Sequence, residues 1–323
     1  MKFIDMHCDT LVPFARRDEY TLFSSNQQVD FQKMKRGDAL AQFFAVFFPP
    51  KQFMDSFKKP MTDEEYFNTL VEGLHRDVEA HSDIIALATN ADEIVANNAA
   101  GKMSAVLTIE DSRMVNGDLD MIRKVYDKGV RCMSLTWNFE NCFGFPNSTD
   151  PEIMNKPLKP FGIEGIKLMN ELGILVDVSH LNDGGFWDVV KYTDKPFVAT
   201  HSNARAYCGH QRNLTDEMIK ALANKGGVMG LNFAPQFMDP RMVIETTTIS
   251  DIIGMAKHIR NVGGIDVIGL GTDFDGIEGI QEISCSSMLP VLWDEFKKAG
   301  FTEDEIDKIS HNNVLRVIKE AMK

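Results

Sequence analysis

Short apolar runs rich in β-branched and aromatic residues alternate along the chain with longer stretches whose apolar positions recur every three or four residues. The short runs predict eight strands, at 3–9, 42–48, 104–110, 130–137, 174–180, 196–201, 227–233 and 266–273. The longer stretches predict helices over 62–81, 118–128, 162–172, 183–192, 215–225 and 250–262, with two or three more after 288. Thr62, Asp183 and Thr215 stand where a side-chain oxygen caps a helix start, and Gly129, Gly173 and Gly226 where a helix stops before its next strand. Thr302 and Glu305 have the spacing of a capping box. The tail helices are expected to complete the outer layer of the fold.

Strand–helix alternation implies a parallel sheet, which eight strands can build as an open doubly wound sheet or as a closed (β/α)8 TIM barrel. An open sheet would gather its polar residues at one topological switch point. Here acidic or imidazole side chains end the first, third, fifth, sixth and eighth runs, and only a closed barrel brings those ends into one ring. The expectation is one α/β barrel domain over residues 1–323.

Composition narrows the function classes. Hydrophobic residues make up 44% and charged residues 25% of the 323, an ordinary globular balance. The net charge of −13 repels a phosphate backbone and argues against nucleic acid as a partner. The opening MKFIDMHCDT has no apolar stretch of signal-sequence length, and no window approaches a membrane span, so a cytoplasmic protein without membrane contact is expected. The five cysteines are scattered without a CxxC pair and read as reduced packing residues.

The chemistry lies at the ends of the apolar runs. His7 and Asp9, two apart in FIDMHCDT, share one face of an extended segment. Glu110 ends SAVLTIE, where a buried carboxylate needs either Arg113 or a cation as its partner. His180 ends ILVDVSH and His201 ends PFVATH, one βα unit apart. Three imidazoles and two carboxylates suit zinc, with manganese or cobalt as alternatives. Five protein ligands exceed what one open zinc site uses. The reading is therefore two divalent cations bridged by Glu110 and a hydroxide, one held by His7 and Asp9, the other by His180 and His201. Asp273, at the end of GLGTD, is the expected proton-transfer residue, with Asp275 as its competitor. Arg212, in QRN before a helix, suits fork recognition of a carboxylate, or else is a solvated loop residue; His210 ends no strand and is set aside.

The ordered segments FIDMHCDT, TIEDS, LVDVSH, THSNARA, QRN before a helix, GLGTDFDG and NNVLRV resemble the membrane (renal) dipeptidase family of the amidohydrolase superfamily over nearly the whole chain. The resemblance implies a binuclear zinc peptidase acting on L-Xaa-L-Xaa dipeptides, and on L-Xaa-D-Xaa where a D-residue is tolerated. It implies that His7 and Asp9 bind one zinc, that His180 and His201 bind the other and that Glu110 bridges them. By the same resemblance Arg212 grips the substrate carboxylate, and Asp273 transfers the proton and contacts the amine. Family members are commonly dimeric, which makes a homodimer an expectation. The mammalian members are extracellular and lipid-anchored, whereas this chain reads as a soluble bacterial-type member.

The chain departs from that pattern at one place. Mammalian members carry a histidine at the end of the fourth strand, credited with contacting the substrate carbonyl; SLTWNFEN places Trp137 there. An indole donates one hydrogen bond and cannot carry a proton. Trp137 thus either donates that bond or walls the pocket, or Asn138 takes the role. The rival readings are another amidohydrolase, such as a lactonase or deaminase, and a binding protein that keeps the metals without turnover.

Overall fold

Each of the eight predicted runs contributes a strand to one closed barrel in the computed structural model, which describes residues 1–17, 19–54, 57 and 60–323. The strands are β1 (Phe3–Asp5), β2 (Ala39–Phe47), β3 (Ile85–Leu87), β4 (Met103–Glu110), β5 (Val130–Ser134), β6 (Leu175–Asp177), β7 (Val198–Ala199), β8 (Val228–Leu231), β9 (Thr246–Thr247), β10 (Ile268–Leu270) and β11 (Ile280–Gln281). The ring runs β1-β2-β4-β5-β6-β7-β8-β10 and closes where Asp5 of β1 pairs with Leu270 of β10, all pairings being parallel. This is a (β/α)8 TIM barrel. β9 and β11 form a separate two-stranded ribbon.

The predicted helices form at Asp63–Ala80, Leu119–Asp127, Pro160–Leu172, Asp183–Tyr192, Asp216–Asn224 and Ile249–Gly263. Thr62 and Thr215 cap as expected, but the cap of Asp183–Tyr192 is Asn182, whose amide oxygen accepts from the Gly185 N–H. Asp183 sits in the first turn instead, paired with Arg205 at 2.7 Å. The sequence reading also omits β3 and the helix Ala91–Ala99 that follows it. A three-residue strand is too short to show a period, and that helix buries only Ala91 and Ile94.

Most strands stop earlier than their apolar runs. The ladder ends at Asp5, Ser134, Asp177, Ala199 and Leu270, and after Asp5, Asp177, Ala199 and Leu270 buried side chains take over backbone groups that follow. Asp177 accepts the N–H groups of Ser179 and Thr200 at 3.0 and 2.9 Å, and Asp5 accepts that of Thr272 at 2.9 Å. His7, Asp9, His180, His201 and Asp273 therefore occupy the first residues of βα loops, and of the six only Glu110 ends its strand.

The tail behaves differently from expectation. Pro290–Lys298 does pack outside the barrel, and Thr302 and Glu305 form their capping box. The last helix, Asn313–Ala321, does not join the outer layer: Val314, Val317 and Ile318 cluster with the inward residues Ile4, Met6, Leu175, Val198 and Val228. It plugs the barrel floor, opposite the loops that carry the polar residues. Among the described residues no helix is long and apolar enough to cross a membrane.

Candidate metal centre

At the mouth of the barrel, five side chains from β1, β4, β6 and β7 or their loops converge, all at most 7% exposed: His7, Asp9, Glu110, His180 and His201. Glu110 is the pivot. Its Oε2 lies 3.5 Å from Nε2 of His7, and its Oε1 lies 2.8 Å from Nε2 of His180 and 3.3 Å from Nε2 of His201. The two imidazole Nε2 atoms of His180 and His201 are 3.0 Å apart. Asp9 reaches His7 Nε2 at 3.6 Å. Arg113, the alternative partner of Glu110, turns instead to Asp63 at 3.1 Å and Asp111 at 3.8 Å.

Hydrogen bonds behind the rings decide which nitrogens face the centre. Nδ1 of His180 lies 3.1 Å from the Asn138 amide oxygen, which only accepts, so Nδ1 carries the proton and Nε2 presents a lone pair. Thr200 donates its hydroxyl proton to Asp177 at 2.7 Å and so accepts from Nδ1 of His201 at 2.8 Å, leaving that Nε2 bare as well. Two imidazole lone pairs and a carboxylate oxygen thus crowd within 3.3 Å. Such a group repels itself unless a cation lies between its members. Nε2 of His7 and Oδ1 of Asp9 are likewise buried without a hydrogen-bond partner among the described residues. The donor set fits divalent cations. His7, Asp9 and Glu110 form one ligand-like group and Glu110, His180 and His201 another, with Asp273 grouped with His7 and His201 in a third.

The protonation balance reflects the crowding. Burial works against ionised Glu110, but His7, His180 and His201 together outweigh it and hold the carboxyl well below its ordinary range. Burial lifts Asp9 to about 6, with Glu110 adding repulsion. Asp273 rises to about 7, chiefly through burial, with the Asp9 and Glu110 charges adding to it. Its Oδ2 accepts from Asn232 Nδ2 at 2.9 Å and its Oδ1 points to His7 Nε2 at 3.7 Å. The residue sits in left-handed backbone at φ 63°, a conformation aspartate tolerates. Asp275 also borders the cleft, but its carboxylate is engaged by the loops, accepting from Thr10 Oγ1 at 2.6 Å and from the N–H groups of Gln28 and Val29. It is a loop clasp.

Arg212 is buried beside the loops of His180 and His201, against the Phe237 ring, and its fork is already engaged. Nη1 donates to the Ser179 carbonyl and to Ser202 Oγ at 3.1 Å, and Nη2 to the His201 carbonyl at 3.2 Å; only Nε lacks a partner. His210 accepts the Arg212 N–H at 3.1 Å and lies against Phe237, away from the ligand cluster. Trp137 is half-buried at the cleft wall, edge-on to Phe47 with ring centroids 4.9 Å apart, while Asn138 serves His180. Asp5, Asp177 and Asn232 are supporting residues the sequence reading passed over. For Asp5 the signal was available: it shares the alternation of His7 and Asp9, a charge pointing into a barrel.

A sequence profile described as membrane dipeptidase, peptidase family M19, matches residues 1–323. An uncharacterized dipeptidase of Schizosaccharomyces pombe is 30% identical over 303 residues, covering 90% of this chain and 72% of that protein. The solved metallopeptidase of Rhodobacter sphaeroides, bound to a phosphinate mimic of the dipeptide L-Ala-D-Ala, is 27% identical with a TM-score of 0.88, covering 99% of each chain. A second metallopeptidase structure, dipeptidase AC, has the same identity and TM-score and covers 99% of this chain and 98% of its own. With the profile spanning every residue, the chain belongs to the membrane dipeptidase family, peptidase family M19, and is a metallo-dipeptidase.

Proposed function

We propose that this chain is a binuclear zinc dipeptidase that hydrolyses L-Xaa-L-Xaa and L-Xaa-D-Xaa dipeptides. The observation that carries the binuclear reading is the split of Glu110, whose two oxygens face different imidazole sets. One oxygen can serve a cation held with His7 and Asp9, the other a cation held with His180 and His201. When bound, such cations supply a water nucleophile at neutral pH and polarise the scissile carbonyl.

The chain's own residues do the rest. Asp273, buried beside the ligand cluster with its Oδ1 toward His7 Nε2, stands where a carboxylate can accept a proton from attacking water and return it to the departing amine. Asn232 holds its other oxygen, so the carboxylate keeps one orientation. A cleft of about 510 Å³ opens over Glu110, His180 and Asp273 and suits a dipeptide. Trp137, packed on Phe47, walls it, and its single indole N–H is the one donor that side chain can offer a substrate carbonyl. Arg212 fixes the Ser179 and His201 carbonyls, and its charge and unpaired Nε are what it offers a substrate carboxylate. The D-residue range is carried over from the bound mimic of the Rhodobacter sphaeroides protein.

The test joins metal analysis to a dipeptide panel. Chelated protein should be inert; about two zinc ions per chain should restore cleavage of L-Ala-L-Ala and L-Ala-D-Ala. Full activity at one ion per chain would overturn the bridged site, and a two-metal protein that cuts no dipeptide would overturn the substrate.

A further inference from the structure

We propose that Arg16 and Arg17 form a cationic subsite at the cleft rim that selects dipeptides bearing a side-chain carboxylate. The inference rests on the dipeptidase reading above and names the substrate class within it.

Both arginines follow directly from the metal centre in the chain. A short helical turn, Val12–Ala15, leaves the loop that carries Asp9, and the N–H groups of Arg16 and Arg17 both donate to the Pro13 carbonyl, at 3.0 and 2.9 Å. The two side chains therefore leave a fixed backbone, and both line the cleft that contains Glu110, His180 and Asp273. The Arg16 guanidinium rests 4.1 Å from the ring centroid of Phe53 and 5.1 Å from that of Phe57, which orients it without neutralising it. Among the described residues neither arginine has a carboxylate within ion-pair distance, whereas Arg76, Arg113, Arg205, Arg241 and Arg260 each pair with one. Two adjacent arginines without an ion-pair partner among the described residues are conspicuous in a chain of net charge −13. Partial burial, with repulsion from Arg17 adding to it, holds Arg16 below its ordinary range, a tension an anion would relieve.

Counting charges points to the side chain of the substrate. The site offers two separate cationic positions besides its metals, Arg212 against the Ser179 and His201 carbonyls and the Arg16–Arg17 pair at the rim. Every dipeptide has one α-carboxylate; a dipeptide containing Asp or Glu has a second. Guanidinium groups bind carboxylates through paired, charge-assisted hydrogen bonds, which the neutral amide of Gln cannot match.

The experiment compares kcat/KM of the zinc-loaded full chain on Ala-Glu against Ala-Gln, and on Glu-Ala against Gln-Ala. In one of the two positions Glu should be favoured by about tenfold, the worth of one charge-assisted contact. In the double variant Arg16→Met, Arg17→Met that ratio should fall to about one, through KM, and in Arg16→Lys, Arg17→Lys it should fall to an intermediate value above one, because an ammonium keeps the charge but not the paired fork. Because each ratio is internal to one preparation, partial loss of folded protein does not alter it. A ratio near one in the parent, a ratio intact in the Met variant, or an equal drop on both substrates of a pair would overturn the subsite; the last would assign the pair to the α-carboxylate. If no dipeptide is cleaved at all, the dipeptidase reading fails and the subsite with it.

Discussion

Asn138 shows how a residue can serve a site through its neighbour. Its amide oxygen sets the tautomer of His180, and its own side chain is exposed, so removing it disturbs little else. Asn138→Ala should lower metal affinity or kcat/KM by roughly 10- to 100-fold, as loss of a partner behind a metal-binding imidazole does. Competition against a zinc chelator, with turnover on the same preparation, measures both, and Asn138→Asp, which keeps the acceptor, should recover most of the loss. Unchanged affinity and turnover in the Ala variant would show that the ring needs no such guide. At this scale the sequence was uneven. His7, Asp9, Glu110, His180 and His201 stood out because charge interrupts apolar runs at their ends. The task of Asn138 and the engagement of the Arg212 fork by the Ser179 and His201 carbonyls depend on side-chain direction across a loop, which spacing does not encode.

Between elements, the decisive contact is one where side chains are missing. Gly230 of β8 and Gly271, just after β10, meet beside the Thr200 carbonyl, and a methyl group on either would overlap that oxygen. The absence of Cβ atoms lets β8 and β10 close on the end of β7, which places His201. Gly271→Ala should cost about 1–3 kcal/mol through overpacking and displace His201 enough to weaken zinc binding. Thermal denaturation and zinc titration of this variant, beside Gly209→Ala, where no heavy atom lies near and the backbone is not left-handed, separate the crowding from general loss of glycine; equal effects would refute the close-approach account. The barrel's eight strands were legible because a parallel sheet buried on both faces reads as continuous apolar runs. β3 and its helix were not, since three residues carry no period, and the floor-plugging role of Asn313–Ala321 was not, since amphipathicity does not say which surface a helix covers.

For the whole molecule, the buried carboxyls tie stability to pH and to metal. Burial raises Asp9 to about 6 and Asp273 to about 7, above the ordinary value near 3.9. A raised folded-state carboxyl favours the fold while it is protonated. That contribution is complete below the ordinary range and is lost as pH climbs through 6 and 7. Cations require the ionised forms and cancel the repulsion that ionisation creates. The rise in Tm on adding zinc should therefore be small at pH 5 and grow steadily to pH 8, as melting curves with and without metal can record. A gain independent of pH over that interval would contradict the raised carboxyls.

The seam between β1 and β10 has a consequence for how the protein comes to exist. Asp5 and Thr272 share two hydrogen bonds across 267 residues of sequence, and the same seam joins the loop of His7 and Asp9 to that of Asp273. Closing so long a loop carries an entropic cost that must be met before its contacts reward it, which makes ring closure a late event in folding. The site is then completed by the same step that completes the barrel, so a chain that has not finished folding has no intact catalytic centre with which to cut peptides.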